Sequence, residues 1–204
     1  MDELTLYTHP QSRGRIARWM LEETGLAYRT VVLDYRTTMK GPEYLALNPM
    51  GKVPCVTLGR TVVTEGAAIC TWLADAFPDT GLMPDDRASF YRWMFFTAGP
   101  FEAAITDKAL GVDISPKQSG FVGYGSLERT IATLEHLVTD RRFIIGDRFS
   151  AADVYIGSQI GYGLLYGSLP DRPAFTAYWN GLKDRPARQR ATVADDALLP
   201  KEPT

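Results

Sequence analysis

Two cysteines and two histidines are all that the 204 residues contain of the side chains most used for redox and metal chemistry. No C-x-x-C occurs, so a redox dithiol of the thioredoxin type is excluded. No cluster of His, Cys, Asp and Glu has metal-ligand spacing. A G-x-S-x-G nucleophile elbow, a phosphate loop and a dinucleotide fingerprint are also missing. Long apolar runs are missing as well, and none approaches the ~20 residues that a membrane-spanning helix needs. The net charge of −2 offers no basic surface to nucleic acid or to an anionic membrane. The start, Met1-Asp2-Glu3, is acidic, unlike the basic opening of a secretory signal. Cys55 falls in a strand pattern and Cys70 in a helix pattern, both apolar. No disulfide is expected, and a reducing cytoplasm is the default location.

What is present divides in two. Residues 3–8 alternate as a strand, "HPQS" breaks the pattern, and a helix follows from Arg13 with Ile16, Ala17, Met20 and Leu21 on one face. Ser12 stands at its N-cap and Gly25 ends it. "AYRTVVLD" reads as a second strand and "GPEYLAL" as a short helix with Pro42 in its first turn. "VPCVTL" and "TVVT" form a hairpin about Gly59-Arg60. From Glu65 a helix carries Ile69, Trp72, Leu73 and Ala76 on one face and stops near Phe77-Pro78. The order is β-α-β-α-β-β-α. After it the strand signals cease. "PDTGLMPDD" is turn-rich, so the expected division is a first domain over 1–79, a linker over 80–86 and an all-helical domain over 87–204.

In the second part a helix runs from Arg87 past Trp93 and is kinked by Pro100. Another places Leu127, Ile131, Leu134 and Val138 on one face. "FSAADVYI" holds Ser150 at an N-cap, Asp153 at N3, and Phe149 where it can staple onto Val154. That cluster reads as structural. Pro173 and Pro186 each stand where a helix begins. The tail from Asp195 is polar and is expected to fray. Trp93, Met94, Phe95 and Phe96 cannot all face one core, so part of the run meets a partner subunit or lines a cleft.

Two strand-to-helix corners can carry chemistry. At "YTHPQSRGR" free backbone N–H groups, the Ser12 hydroxyl and a positive helix end meet. Arg13 and Arg15 oppose the helix dipole, so helix stability alone does not explain them. Such a corner suits an anion, including a thiolate. Equally, Ser12 is an ordinary cap and the arginines are surface charge. At "VVTEGAAI", Glu65 either complements the dipole of its own helix or reaches a ligand's ammonium while the Gly66 N–H takes a carboxylate. His9 lines a pocket or acts as a base; His136 reads as structural. Pro54, lacking an N–H at the mouth of a strand, is either a turn exit or a backbone shaped to meet something other than its own sheet.

"SRGR", "NPMGKVP", "TEGAAICTWLAD" and "FSAADV", in this order and spacing, resemble the cytosolic-type glutathione S-transferases of bacteria over nearly the whole chain. The resemblance implies a thioredoxin-like N-terminal domain and an all-helical C-terminal domain. It implies a cis bond at Val53–Pro54 that frees Val53's backbone to pair with the cysteinyl part of glutathione as an added strand. Lys52, with Lys40 as a second candidate, would meet the glycine carboxylate, and Glu65 the γ-glutamyl ammonium. Ser12 would stabilise the thiolate, with Arg15 second and Tyr7 and His9 behind. Gly66 departs from the family's usual Ser or Thr and removes a hydroxyl. The implied activity is conjugation of glutathione, the co-substrate, to a small electrophile, a detoxifying transfer that needs no metal. The second substrate would sit in a cleft between the domains near His9, Pro10 and Phe96. A disulfide reductase, peroxidase, isomerase or dehalogenase on the same fold, or a non-catalytic binding or regulatory protein, are the alternatives. A cytoplasmic homodimer through the third and fourth helices is implied; nucleic acid and membrane partners are not.

Overall fold

The computed structural model describes residues 3–200. The acidic start at Met1-Asp2 and the last four residues of the polar tail lie outside the described residues. Strands β1 (Leu4–Thr8), β2 (Arg29–Val32), β3 (Cys55–Leu58) and β4 (Thr61–Thr64) form a mixed sheet in the order β2-β1-β3-β4, with β1 parallel to β2 and the other pairs antiparallel. Helices α1 (Gly14–Thr24), α2 (Pro42–Leu45) and α3 (Gly66–Ala76) complete the expected βαβαββα order. The β3–β4 hairpin turns through Gly59, whose φ of 55° suits glycine, so Leu58 pairs with Thr61. The helical part holds α4 (Arg87–Phe96), α5 (Glu102–Ala109), α6 (Leu127–Val138), α7 (Ala151–Leu165), α8 (Pro173–Asn180) and, last in the chain, α9 (Pro186–Asp196). No helix among the described residues is long and apolar enough to cross a membrane.

The chain divides into two compact units: residues 1–83 together with 184–204, and residues 84–183. The division expected from the sequence put everything from 87 onward in one helical domain. Helix α9 instead packs on α1 in the first unit. The reason is electrostatic. Arg18 of α1 and Asp195 of α9 form an ion pair at 2.8 Å with side chains 4% and 0% exposed. Burial penalises both charges; the pairing offsets that cost, with Arg18 Nη1 also donating to the Tyr28 hydroxyl at 3.2 Å and to Thr30 Oγ1 at 3.1 Å. Asp195 therefore does not begin a fraying tail. The same packing explains why Arg18 and Trp19 are buried beside the expected face of Ile16, Ala17, Met20 and Leu21: α1 is covered on two sides.

In the second unit α7 is the central helix, buried along most of its length. Asp153 closes the capping box by accepting from the Ser150 N–H at 2.8 Å, and it also accepts from the Ile144 N–H and the Tyr178 hydroxyl, each at 2.7 Å. A capping residue thus joins α7 to α8. The Phe149 ring meets Phe143 edge-on. The Pro100 disturbance is a π-helical turn over Thr97–Phe101, which takes up the residue that lacks an N–H donor. Of the aromatic-rich run, Met94 is buried and Phe95 is 72% exposed. Trp93 and Phe96 are half-buried against each other with ring centres 5.7 Å apart.

Helix α1 comes very close to β1. A Cβ at Gly14 would lie 1.9 Å from Thr8 Oγ1, and Thr8 is fully buried. Gly14→Ala should therefore lower the thermal unfolding midpoint, with the ~1–3 kcal/mol typical of overpacking. An unchanged melting curve in circular dichroism would contradict this packing.

Candidate functional site

Strand register gathers the predicted residues at one end of the sheet. Tyr7 pairs with Cys55, Cys55 with Thr64, and Thr8 with Val32. The segments that leave these positions are 9–13, 33–36, 48–54 and 65–66. Three of these adjoining segments hold His9, Pro10 and Ser12, then Lys52, Val53 and Pro54, then Glu65 and Gly66; the fourth, 33–36, holds none of the predicted residues.

At the first corner the helix begins at Gly14, one residue later than expected. The Ser12 hydroxyl accepts from the Gly14 N–H at 2.9 Å and donates to the His9 carbonyl at 2.7 Å. The N-cap position is therefore Arg13, not Ser12 as the sequence suggests; Ser12 holds the first helical N–H from one residue further back, and its proton is aimed back at the loop. His9 is half-buried; its Nδ1 accepts from the Gln11 N–H at 3.2 Å, and its ring lies 4.3 Å from that of Tyr35. Tyr35 donates its hydroxyl proton to the Gln11 carbonyl at 2.9 Å. Pro10 is buried. Arg15 donates from Nε to the Pro10 carbonyl at 2.5 Å and pairs through Nη2 with Asp196 at 2.6 Å.

The second loop has unusual backbone. The Val53–Pro54 peptide bond is cis. Ladder pairing of β3 starts only at Cys55, and among the described residues neither the amide nor the carbonyl of Val53 has a hydrogen-bond partner. Just before it, the Lys52 carbonyl accepts from the Tyr44 hydroxyl at 2.5 Å and from Asn48 Nδ2 at 2.7 Å, and both donors are buried. Two buried donors on one carbonyl fix the orientation of the peptide that leads into Val53. Lys40 Nζ donates to the Gly51 carbonyl at 2.5 Å, so this ammonium is held against the same loop, whereas the Lys52 side chain stands exposed. Gly51 has φ 58°, and a Cβ there would meet Lys40 Nζ, Leu45 Cδ2 and the Met39 carbonyl, each at 3.0 Å.

At the third corner Glu65 has φ 66° and ψ 123°, a conformation that a residue with a Cβ rarely adopts. Such strain persists where the surroundings over-determine it, and it concentrates at binding sites. The side chain is exposed, and Gly66 opens α3 behind it.

Other groups lie elsewhere. Tyr7 packs with Leu33, Met39, Tyr44 and Cys55 in the core. Phe96 belongs to the second unit. A cavity of about 630 Å³, lined by Leu4, Leu26, Tyr28, Leu58 and Phe77 among others, opens at the opposite end of the sheet and contains none of the predicted site residues. No group of three His, Cys, Asp or Glu among the described residues could hold a metal. The sequence reading missed Tyr35, Tyr44 and the side chain of Asn48, all of which act on main-chain carbonyls.

A mixed four-stranded sheet whose β3 is entered through an X-Pro bond, with α1 and α3 opening at the same sheet end, defines a thioredoxin-like unit; here an all-helical unit accompanies it. Residues 13–76 match the family model for the glutathione S-transferase N-terminal domain. The chain is 31% identical over 164 residues to glutathione S-transferase GST-4.5 of Xanthomonas campestris pv. campestris, covering 75% of this chain and 79% of that one. It is 26% identical over 200 residues to glutathione S-transferase GstA of Escherichia coli O157:H7, covering 94% and 98%. A sphingomonad glutathione S-transferase solved with glutathione superposes with a TM-score of 0.75 at 28% identity, covering 94% of this chain and 98% of that one. The chain belongs to the glutathione S-transferase family.

Neither cysteine is placed to serve as a nucleophile. Both are fully buried, and burial pushes the Cys55 thiol up to about 11 and the Cys70 thiol higher still. Thiolate chemistry at this sheet end must come from a ligand. Ellman's reagent should find no fast-reacting thiol in the native protein and both thiols after unfolding. One rapidly labelled cysteine in the native state would contradict this placement.

Proposed function

We propose that this glutathione S-transferase binds glutathione along the backbone of Val53 and presents its thiolate to the Ser12 corner for attack on a small electrophile. One observation carries the reading: Val53, with both main-chain groups unpaired, stands just before the paired strand β3, at the sheet end that also holds Ser12 and Glu65. An extended peptide fits such an edge through main-chain hydrogen bonds. The exposed Lys52, with the Lys40 ammonium held against the same loop, faces the glycine carboxylate. Glu65 takes the γ-glutamyl ammonium, and the Gly66 N–H at the start of α3 takes its carboxylate. No metal takes part in this scheme.

In the free chain the Ser12 proton rests on the His9 carbonyl. A thiolate is the stronger acceptor, and a hydrogen bond to a charged group is worth ~1.5–3 kcal/mol, or ~1–2 pKa units of the bound thiol. The first-turn N–H groups of α1 add a positive potential. The electrophile is placed against His9 and Pro10, which flank Ser12. The reading carries with it a cytoplasmic, detoxifying homodimer, in which the exposed Tyr91 and Phe95 of α4 meet the partner; light scattering decides that point.

A second reading, a glutathione-binding protein without transfer activity, is favoured by the lack of a hydroxyl at Gly66 and by the engagement of Ser12 with its own loop. One experiment separates the two. The pKa of bound glutathione is read from ultraviolet thiolate absorbance, and turnover from a model aryl halide. Ser12→Ala should raise the bound thiol pKa by ~1–2 units and lower kcat, while the glutathione Kd changes little. Equal losses in kcat and affinity would remove Ser12 from the chemistry. A wild-type thiol pKa no lower than that of free glutathione would support the second reading.

A further inference from the structure

Helices α1 and α9 run antiparallel and are joined by four ion pairs: Arg15–Asp196 at 2.6 Å, Arg18–Asp195 at 2.8 Å, Glu22–Arg190 at 2.9 Å and Glu23–Arg185 at 2.7 Å. Each helix here carries charges that its own dipole disfavours. Arg15 and Arg18 lie near the positive end of α1, and Asp195 and Asp196 close the negative end of α9. Each helix supplies what the other's end lacks. The arginines that the sequence left unexplained are therefore not a free anion site: Arg15 is engaged.

Its second contact gives the ladder a reach into the site. Three successive loop carbonyls are each held by a different side chain. His9's carbonyl accepts from the Ser12 hydroxyl, Pro10's from Arg15 Nε and Gln11's from the Tyr35 hydroxyl. Arg15 is the only one of the three donors that also belongs to the α1–α9 ladder, and its side chain is 23% exposed. Asp196 is 53% exposed, but its neighbour Asp195 is fully buried and fixes the last turn of α9. A bidentate guanidinium can hold a carbonyl and a carboxylate at once with fixed geometry, which an ammonium cannot.

We propose that Arg15 and Asp196 are positioning residues for the thiolate corner. Asp196 orients the Arg15 guanidinium, Arg15 holds the Pro10 carbonyl, and the loop so fixed sets where the Ser12 hydroxyl meets the thiolate. The inference rests on the reading that Ser12 faces the glutathione thiolate. It assigns Arg15 an indirect role in place of contact with sulfur, and it makes the last helix of the chain part of the site's support.

The test is a set of mutant cycles on the full-length protein. The thiol pKa of bound glutathione, kcat with a model aryl halide, and the thermal midpoint are measured for Arg15→Ala, Arg15→Lys, Asp196→Asn and Ser12→Ala, and for Arg15→Ala in the Ser12→Ala background. Arg15→Ala should lower kcat roughly fivefold to thirtyfold, the size of one or two kcal/mol, and raise the bound thiol pKa. Arg15→Lys should rescue only part of this. Asp196→Asn, at a half-exposed position where folding is not at risk, should shift the pKa in the same direction by less. In the Ser12→Ala background the Arg15→Ala effect should collapse, because both act through one hydroxyl. A full Arg15 effect in that background would mean direct contact with sulfur and would overturn the proposal. An unshifted thiol pKa in Asp196→Asn would break the link to α9 and overturn it as well. If Ser12→Ala alone leaves the thiol pKa unchanged, the Ser12 reading itself fails, and that outcome is distinct from the other two.

Discussion

The sheet-end corner depends on how closely α1 approaches β1. That distance is set by one missing Cβ, at Gly14, where the helix backbone lies against the buried Thr8 side chain. Everything downstream in the first unit follows from it. The loop between strand and helix is left only five residues long, so Ser12 must fold back to its own loop and to the helix start. The face of α1 turned from the sheet then lies at a depth where α9 can cover it. A side chain at Gly14 would push the helix outward and move Ser12, Arg15 and Arg18 together.

Charge explains the remainder of this unit better than apolar burial does. Helix α9 has a polar sequence, yet Arg190, Asp195 and Asp196, with Arg185 at its N-cap, each meet an opposite charge on α1. Only the Arg18–Asp195 pair is fully buried, so it is the pair whose disruption leaves an uncompensated charge. The more exposed pairs contribute little singly and set register and direction. The second loop is controlled differently, by neutral donors. Tyr44 and Asn48 hold one carbonyl, and the peptide after it is left unpaired at the edge of the sheet.

The strand and helix order of the first unit was legible because its periods are clear: alternation in β1, and a helical spacing from Ile16 to Leu21. Ser12, Val53, Pro54 and Glu65 could be singled out because each breaks or punctuates such a period. The return of α9 was not legible. Asp195 and Asp196 look like a solvated tail, and Arg15's partner lies 181 residues away. Nothing local marks a charge that will be buried by a distant helix. Tyr35 and Tyr44 were missed for another reason: their partners are main-chain carbonyls, which every residue has. The positive φ of Glu65 likewise has no signature in a side chain that is not glycine.

The α1–α9 ladder also bears on how this chain can be recombined with its relatives. A crossover placed in the turn-rich stretch after Phe77 looks natural, since one architecture ends there and another begins. It would separate Arg15, Arg18, Glu22 and Glu23 from the partners that answer them, and strand the buried Arg18 against a foreign helix. Chimaeras that respect the physical unit must carry residues 13–24 and 184–200 from the same parent, with the exchangeable module lying between. The first helix and the last are, in inheritance as in space, one element.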